Sequence, residues 1–265
     1  MTSFAALDKL LKWYIAVGAD EAIGEAPVDR YASRPRSPEV VKGGAPARRP
    51  EKPGPAPAGG ALPLDNRDPR SLAGAATTLA ELRSALEVLE GCALKQTATN
   101  LVFGDGDPNA RVMFIGEAPG AEEDRQGLPF VGVSGRLLDR MVKWIGLDRT
   151  NFYITNIIYW RPPGNRPPTA AEVALCLPFV ERHIELVNPQ VLILVGGASA
   201  KALLGRSEGI MKLRGRWLSY HSPGLAAPIP ATAILHTAYL LRSPAHKREA
   251  WRDLLMIKAK LDSPL

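Results

Sequence analysis

The sequence predicts an α/β fold, a three-layer sandwich in which a four-stranded parallel sheet is flanked by helices on both faces. Four short apolar runs, each broken by Gly, Asn or His, alternate with segments of helical period. That alternation is the pattern of parallel strands joined by right-handed helical crossovers. The runs are apolar at successive positions, as strands covered on both faces must be. A chain of 265 residues with 46% apolar content can bury one such core and leave a tail.

Taken in order, residues 1–23 hold one amphipathic helical stripe, Leu7, Leu10, Leu11, Tyr14 and Ile15, ended by Gly18. Residues 24–70 contain ten of the chain's 24 prolines and almost no large apolar side chains. Such a stretch cannot bury enough surface to offset its ordering entropy, so a disordered linker is expected. Residues 71–265 are expected to form the functional domain. Thr78-Leu-Ala-Glu81 reads as a capping box opening a helix with Leu79, Leu82, Leu86 and Leu89 inward.

The first strand is Val112–Ile115, broken by Gly116-Glu117-Ala118-Pro119-Gly120. An acidic cluster (Glu122, Glu123, Asp124) and Pro129-Phe130 follow. Ser134 is placed to cap a helix with Leu137, Leu138, Met141, Val142 and Ile145 inward, stopped at Gly146. Phe152–Ile158 is the second strand and leads into the proline-rich loop Trp160–Pro168. Thr169-x-x-Glu172 is a second capping box. Val191–Val195 is the third strand, ended by Gly196-Gly197 before a short helix over 198–204. Thr232–Leu235 is the fourth, ending at His236, and a basic amphipathic helix over about 245–261 closes the chain.

Parallel strands bring their carboxyl ends to one rim, where open α/β sheets bind ligands. Glu117, Asn156 and His236 each follow a different strand, and Phe130 lies on the loop after the first. A carboxylate, an amide, an imidazole and a phenyl ring therefore converge, with no metal-ligand spacing among them. The amide can pair with a pyrimidine edge. The ring can stack, the imidazole can donate to a carbonyl gaining charge, and the carboxylate can orient water or steady a sugar cation. The set suits cleavage of an N-glycosidic bond in a flipped nucleotide. Taken singly, each residue has a plainer reading: Asn156 satisfying a strand end, Phe130 in the core, His236 as a structural donor. A phosphate-cradling nucleotide site is excluded, because GEAPG is neither a dinucleotide fingerprint nor a Walker loop and its acid would repel phosphate.

The net charge is +6 and the pI about 9.4. Between Lys201 and Lys260, eleven Lys/Arg face three Asp/Glu, a local excess of +8 that fits a nucleic acid backbone. Two cysteines, Cys92 and Cys176, form no disulfide framework, and no signal peptide or membrane-length apolar run is present. A cytoplasmic protein without membrane contact is expected.

From about Leu79 to Leu261 the chain resembles a uracil-DNA glycosylase, and is most similar to family 4. The matches run in order: GEAPG at 116–120, EDRQG at 123–127, PFVG at 129–132, YITN at 153–156, RPPGNR at 161–166, Leu-Leu-Gly at 203–205, Arg214-Gly-Arg, and His236-x-x-Tyr-Leu-Leu-Arg242. The resemblance implies that Glu117 and His236 are catalytic, Glu117 serving water or sugar cation and His236 donating to a uracil carbonyl. It implies that Gly116, Phe130 and Asn156 bind uracil. Ser134 and Gly135 would hold a DNA phosphate, and Tyr239, Leu240, Leu241 and Arg242 would form a loop wedged into the duplex. The partner implied is uracil-containing DNA, met by a monomer.

Two departures stand out. Family 4 enzymes hold a four-iron, four-sulfur cluster with four cysteines, of which Cys92 and Cys176 match two. Leu89 and Trp160 occupy the other positions. Two thiolates cannot hold such a cluster, so no cofactor is expected and apolar packing should fill its volume. The family's H-P-S is here His236-Thr237-Ala238. A relative that captures uracil-DNA covalently would need a histidine-bearing loop after the asparagine strand. Here that loop is RPPGNRPP, with no histidine before His183, which argues for turnover.

Overall fold

The computed structural model describes residues 68–263. The expected helix within 1–23 and nearly all of the expected linker lie outside them. Pro69 and Arg70, assigned above to the linker, instead begin a helix, α1 (Pro69–Ala75), whose N-cap Asp68 accepts from Ser71 N–H at 3.1 Å.

Next come α2 (Leu79–Val88), α3 (Leu94–Thr97), β1 (Asp105–Gly106), β2 (Val112–Gly116), α4 (Ala121–Gln126), α5 (Val133–Lys143) and β3 (Tyr153–Asn156). They are followed by α6 (Ala170–Val187), β4 (Val191–Val195), α7 (Gly197–Leu204), α8 (Ile210–Leu213), β5 (Leu218–Tyr220), β6 (Ile229–Ile234), α9 (Thr237–Arg242) and α10 (Lys247–Asp262). Both capping signals start helices, with one difference. Thr169 and Glu172 bond reciprocally at the head of α6. At α2, Thr78 accepts from Glu81 N–H, but the Glu81 carboxylate reaches back to Thr77.

The sheet order is β1-β3-β2-β4-β6-β5. The four expected strands are its centre and are parallel throughout. The sheet has six strands, not four, because β1 and β5 add antiparallel edges. At two and three residues these are too short to show a period.

Successive residues of each strand feed opposite faces. Met113, Ile115, Leu192 and Leu194 pack with Leu82, Leu86, Phe179 and Ile184 of α2 and α6. Val112, Phe114, Ile154 and Ile193 pack with Leu138 and Val142 of α5 and Leu254 and Ile257 of α10. These are the three layers.

One buried group makes the fold sensitive to acid. His183 of α6 is fully buried, with Nδ1 3.2 Å from the Tyr159 hydroxyl and Nε2 3.0 Å from the Tyr153 hydroxyl, its ring stacked on Phe103. Burial lowers its pKa from 6.5 to about 3, so the folded protein holds it neutral where the unfolded chain would protonate it. Its contribution is complete above about pH 6.5 and is lost as pH falls toward 3. By pH 4.5 the loss should be about 2–3 kcal/mol, read from urea midpoints. His183→Phe should flatten that pH dependence while costing about 1–3 kcal/mol at neutral pH for each tyrosine hydroxyl left unpaired.

Candidate active site

Residues at the carboxyl ends of β2, β3 and β6 line one cavity of about 490 Å³. Glu117 directly follows β2, Asn156 ends β3, and His236 caps α9 just after β6. Phe130, from the α4–α5 loop, lines the same cavity. The volume falls in the range of small-molecule sites.

Glycines let these groups meet. Gly116 sits beside Asn156 in the parallel register of β2 and β3. A Cβ on Gly116 would overlap both Asn156 Oδ1 and Phe130 Cζ. The amide and the ring therefore approach through space that only glycine leaves. Gly196, at φ +100°, underlies His236, 3.2 Å from where a Cβ would stand. The Phe130 and His236 rings lie with centroids 6.2 Å apart at 28°.

Hydrogen bonding fixes the histidine tautomer. His236 Nδ1 accepts from Ala238 N–H at 3.1 Å, which leaves the proton of a neutral ring on Nε2. Burial, then the nearby Arg242, lowers the His236 pKa to about 4 against the opposing pull of Glu123. At neutral pH the cavity thus holds an uncharged imidazole donor. Burial pushes the Glu117 carboxyl above its ordinary range, and no ion-pair partner reaches it among the described residues.

Glu123 is a site residue that the sequence reading passed over as part of an acidic cluster. It is buried and lines the cavity. Its Oε2 accepts from Gly120 N–H at 3.1 Å and its Oε1 from Gly132 N–H at 2.7 Å, tying the two walls together. The available signal was its place three residues after Gly120, where a glutamate folds back on a helix start. Asn165 and Arg166 of the proline-rich loop also line the cavity. Arg166 is held there by two bonds to Glu172, at 2.6 and 2.9 Å.

Other expectations need correction. The N-cap of α5 is Gly132, not Ser134, which is second in the helix and lines the cavity. Gly135 does not line it. A Cβ on Gly135 would lie 2.6 Å from Phe130 Cα and closer still to its carbonyl, so the residue allows helix and loop to touch. Tyr239–Arg242 is the body of helix α9, not a loop. Leu240 is fully buried against Leu137, Leu235 and Ala250 and anchors that helix. Tyr239 and Arg242 face the cavity, and Leu241 is exposed.

The residues at the expected cluster position do not fit one. Cys92 and Cys176 are free, buried cysteines of one apolar cluster, and their mutual interaction holds the Cys92 thiol below its ordinary pKa and pushes that of Cys176 up. Leu89 and Trp160 are buried in the same apolar cluster. Lys95 Nζ donates to the carbonyls of Glu87 and Leu89 at 2.7 and 2.8 Å and sits 5.7 Å from the Trp160 ring centroid. Two thiols supply only half of the four thiolates, and the positions of the other two are taken by buried Leu89 and Trp160.

The family model for the uracil DNA glycosylase superfamily matches residues 103–255. The chain belongs to that superfamily. It is 36% identical over 182 residues to a type-4 uracil-DNA glycosylase of Pyrobaculum aerophilum, covering 67% of this chain and 92% of the relative. It is 37% identical over 177 residues to a type-4 enzyme of Saccharolobus solfataricus, covering 65% and 81%. Against a type-4 enzyme of Sulfurisphaera tokodaii it is 39% identical over 144 residues, covering 52% and 66%. In this superfamily member, the matched span contains all four groups that converge on the cavity.

Proposed function

We propose that this chain is a uracil-DNA glycosylase that hydrolyses the N-glycosidic bond of a flipped deoxyuridine, leaving an abasic site for base-excision repair, and that it works without an iron–sulfur cluster. The observation carrying this is the neutral His236, its Nδ1 taken by the Ala238 amide, on one cavity with Phe130, Asn156 and a Glu117 that has no ion-pair partner among the described residues. Uracil stacks on Phe130, and Asn156 reads its polar edge while Gly116 leaves room for both. As the bond between C1′ and N1 breaks, the pyrimidine gains negative charge, and His236 Nε2–H donates to the carbonyl carrying it. A neutral donor stabilises that anion without having to surrender its own proton. Glu117 steadies the sugar cation and orients water to C1′, and the water's proton ends on uracil.

DNA is held by Ser134 and the first-turn amides of α5, Gly135 among them. Tyr239, Leu241 and Arg242 of α9 meet the duplex where the base leaves it, with Leu240 as their anchor. All four central groups come from one chain, which supports a monomer as the working form. The catalytic domain includes α1, capped by Asp68, and works in the cytoplasm.

The cluster-free reading rests on what fills its place: Leu89 and Trp160 are buried with the two cysteines, and Lys95 binds the Glu87 and Leu89 carbonyls beside the Trp160 ring. Trp160→Ala should cost about 3 kcal/mol in a thermal melt. The function is tested by incubating the protein with an oligonucleotide carrying one uracil, followed by alkaline cleavage, beside a thymine control. Iron content and visible absorbance are measured on the same preparation. Uracil-only cleavage by iron-free protein is the expected result. Intact uracil strands would refute the activity, and cleavage that tracks iron content would refute the cluster-free part.

A further inference from the structure

We infer that Arg149 is a positioning residue for excision, holding the Phe130 ring in the cavity by gripping the backbone beneath it. Phe130 has φ +57°, the left-handed region that a bulky side chain rarely adopts. Nothing in the local sequence favours that shape, so the surroundings must impose it. Arg149 supplies the grip. Its Nη2 donates to the Phe130 carbonyl at 2.9 Å and its Nη1 to the Pro129 carbonyl at 3.2 Å.

The guanidinium is itself fixed. Asp139 of α5 accepts from Nε at 3.0 Å, and Asp105 of β1 accepts from Nη1 at 2.9 Å. The group also lies 5.5 Å from the Phe152 ring centroid. Gly135 of α5 packs against the same Phe130 backbone, so closely that a Cβ there would overlap its carbonyl. The loop is thus held by a helix turn packed on it and by a planar cation fixed by two carboxylates. The rigid fork of an arginine can serve two carbonyls and two carboxylates at once, which a lysine ammonium cannot match. Arg149 does not line the cavity, so its effect must pass through the ring.

This inference rests on the proposed uracil excision. Arg149→Gln should lower kcat about 10- to 100-fold, the scale expected when a positioned group moves by about an ångström. KM for a uracil-containing oligonucleotide should change less than about threefold, because the DNA backbone is held at Ser134 and α9 rather than at this loop. In a Phe130→Leu background the same substitution should cost less than about threefold in kcat, because the ring it positions is already gone. Asp139→Asn, which loosens the guanidinium without removing it, should give a smaller loss in the same direction and serves if Arg149→Gln folds poorly. Equal losses in both backgrounds, or activity that only follows the folded fraction, would overturn the assignment while leaving the excision reading intact. A parent protein that leaves uracil in place would overturn both.

Discussion

Glu117→Gln should reduce uracil excision about 1,000-fold, within the range for a positioned acid or base, with thermal stability nearly unchanged. The amide keeps the shape of the carboxylate but neither its charge nor its pull on water. Stability should hold because, among the described residues, Glu117 makes no ion pair whose loss would unsettle the turn between β2 and α4. The pH profile adds a second signature. Burial holds the Glu117 pKa above the usual 4.5, and His236 titrates lower, at about 4. As pH falls, the first limb to appear belongs to Glu117, because its ionised form is the active one. Activity should therefore begin to fail at a pH higher than an ordinary carboxylate would give, and Glu117→Gln should abolish that limb along with most of the rate. A variant that keeps both the rate and the limb would show that this carboxylate is not the group at C1′.

The four central strands were legible because each is a continuous apolar run, and continuity is what burial on both faces demands. Topology then put Glu117, Asn156, His236 and Phe130 at one rim before any distance was known. What escaped depends on backbone groups far apart in sequence. Glu123 gathers the amides of Gly120 and Gly132, and Arg149 gathers the carbonyls of Pro129 and Phe130. Acids and arginines used in this way look like surface charge in a one-dimensional reading. The α5 start was misplaced for a related reason. Gly132 offers no side-chain cap, and the nearby Ser134 looked the better candidate, but Glu123 from another helix satisfies the Gly132 amide. The loop expected over Tyr239–Arg242 came from the family resemblance alone, and these residues are helical. Thr237 stands at the first position of the helix, where a proline would fit equally well, and His236 is its cap.

Two of the site's groups meet over Gly116, and Gly116→Ala should lower excision at least about 1,000-fold, beyond the roughly 100-fold expected of a one-ångström misplacement alone. The new methyl would overlap the Asn156 amide and the edge of Phe130 at once. Neither can yield freely. Asn156 ends a central strand paired to Gly116 itself, and Phe130 is clamped by Arg149 and Gly135. One atom therefore displaces both the group that reads the pyrimidine and the ring that stacks on it, while Glu117 and His236 keep their places. Affinity for an oligonucleotide bearing an abasic site should change little, because that ligand presents phosphates and no base. Affinity for free uracil should be lost. Excision kinetics, abasic-site affinity and inhibition by free uracil together separate this outcome from misfolding, which would weaken all three. If free uracil still inhibited the variant as well as the parent, the space above Gly116 would not be where the base binds.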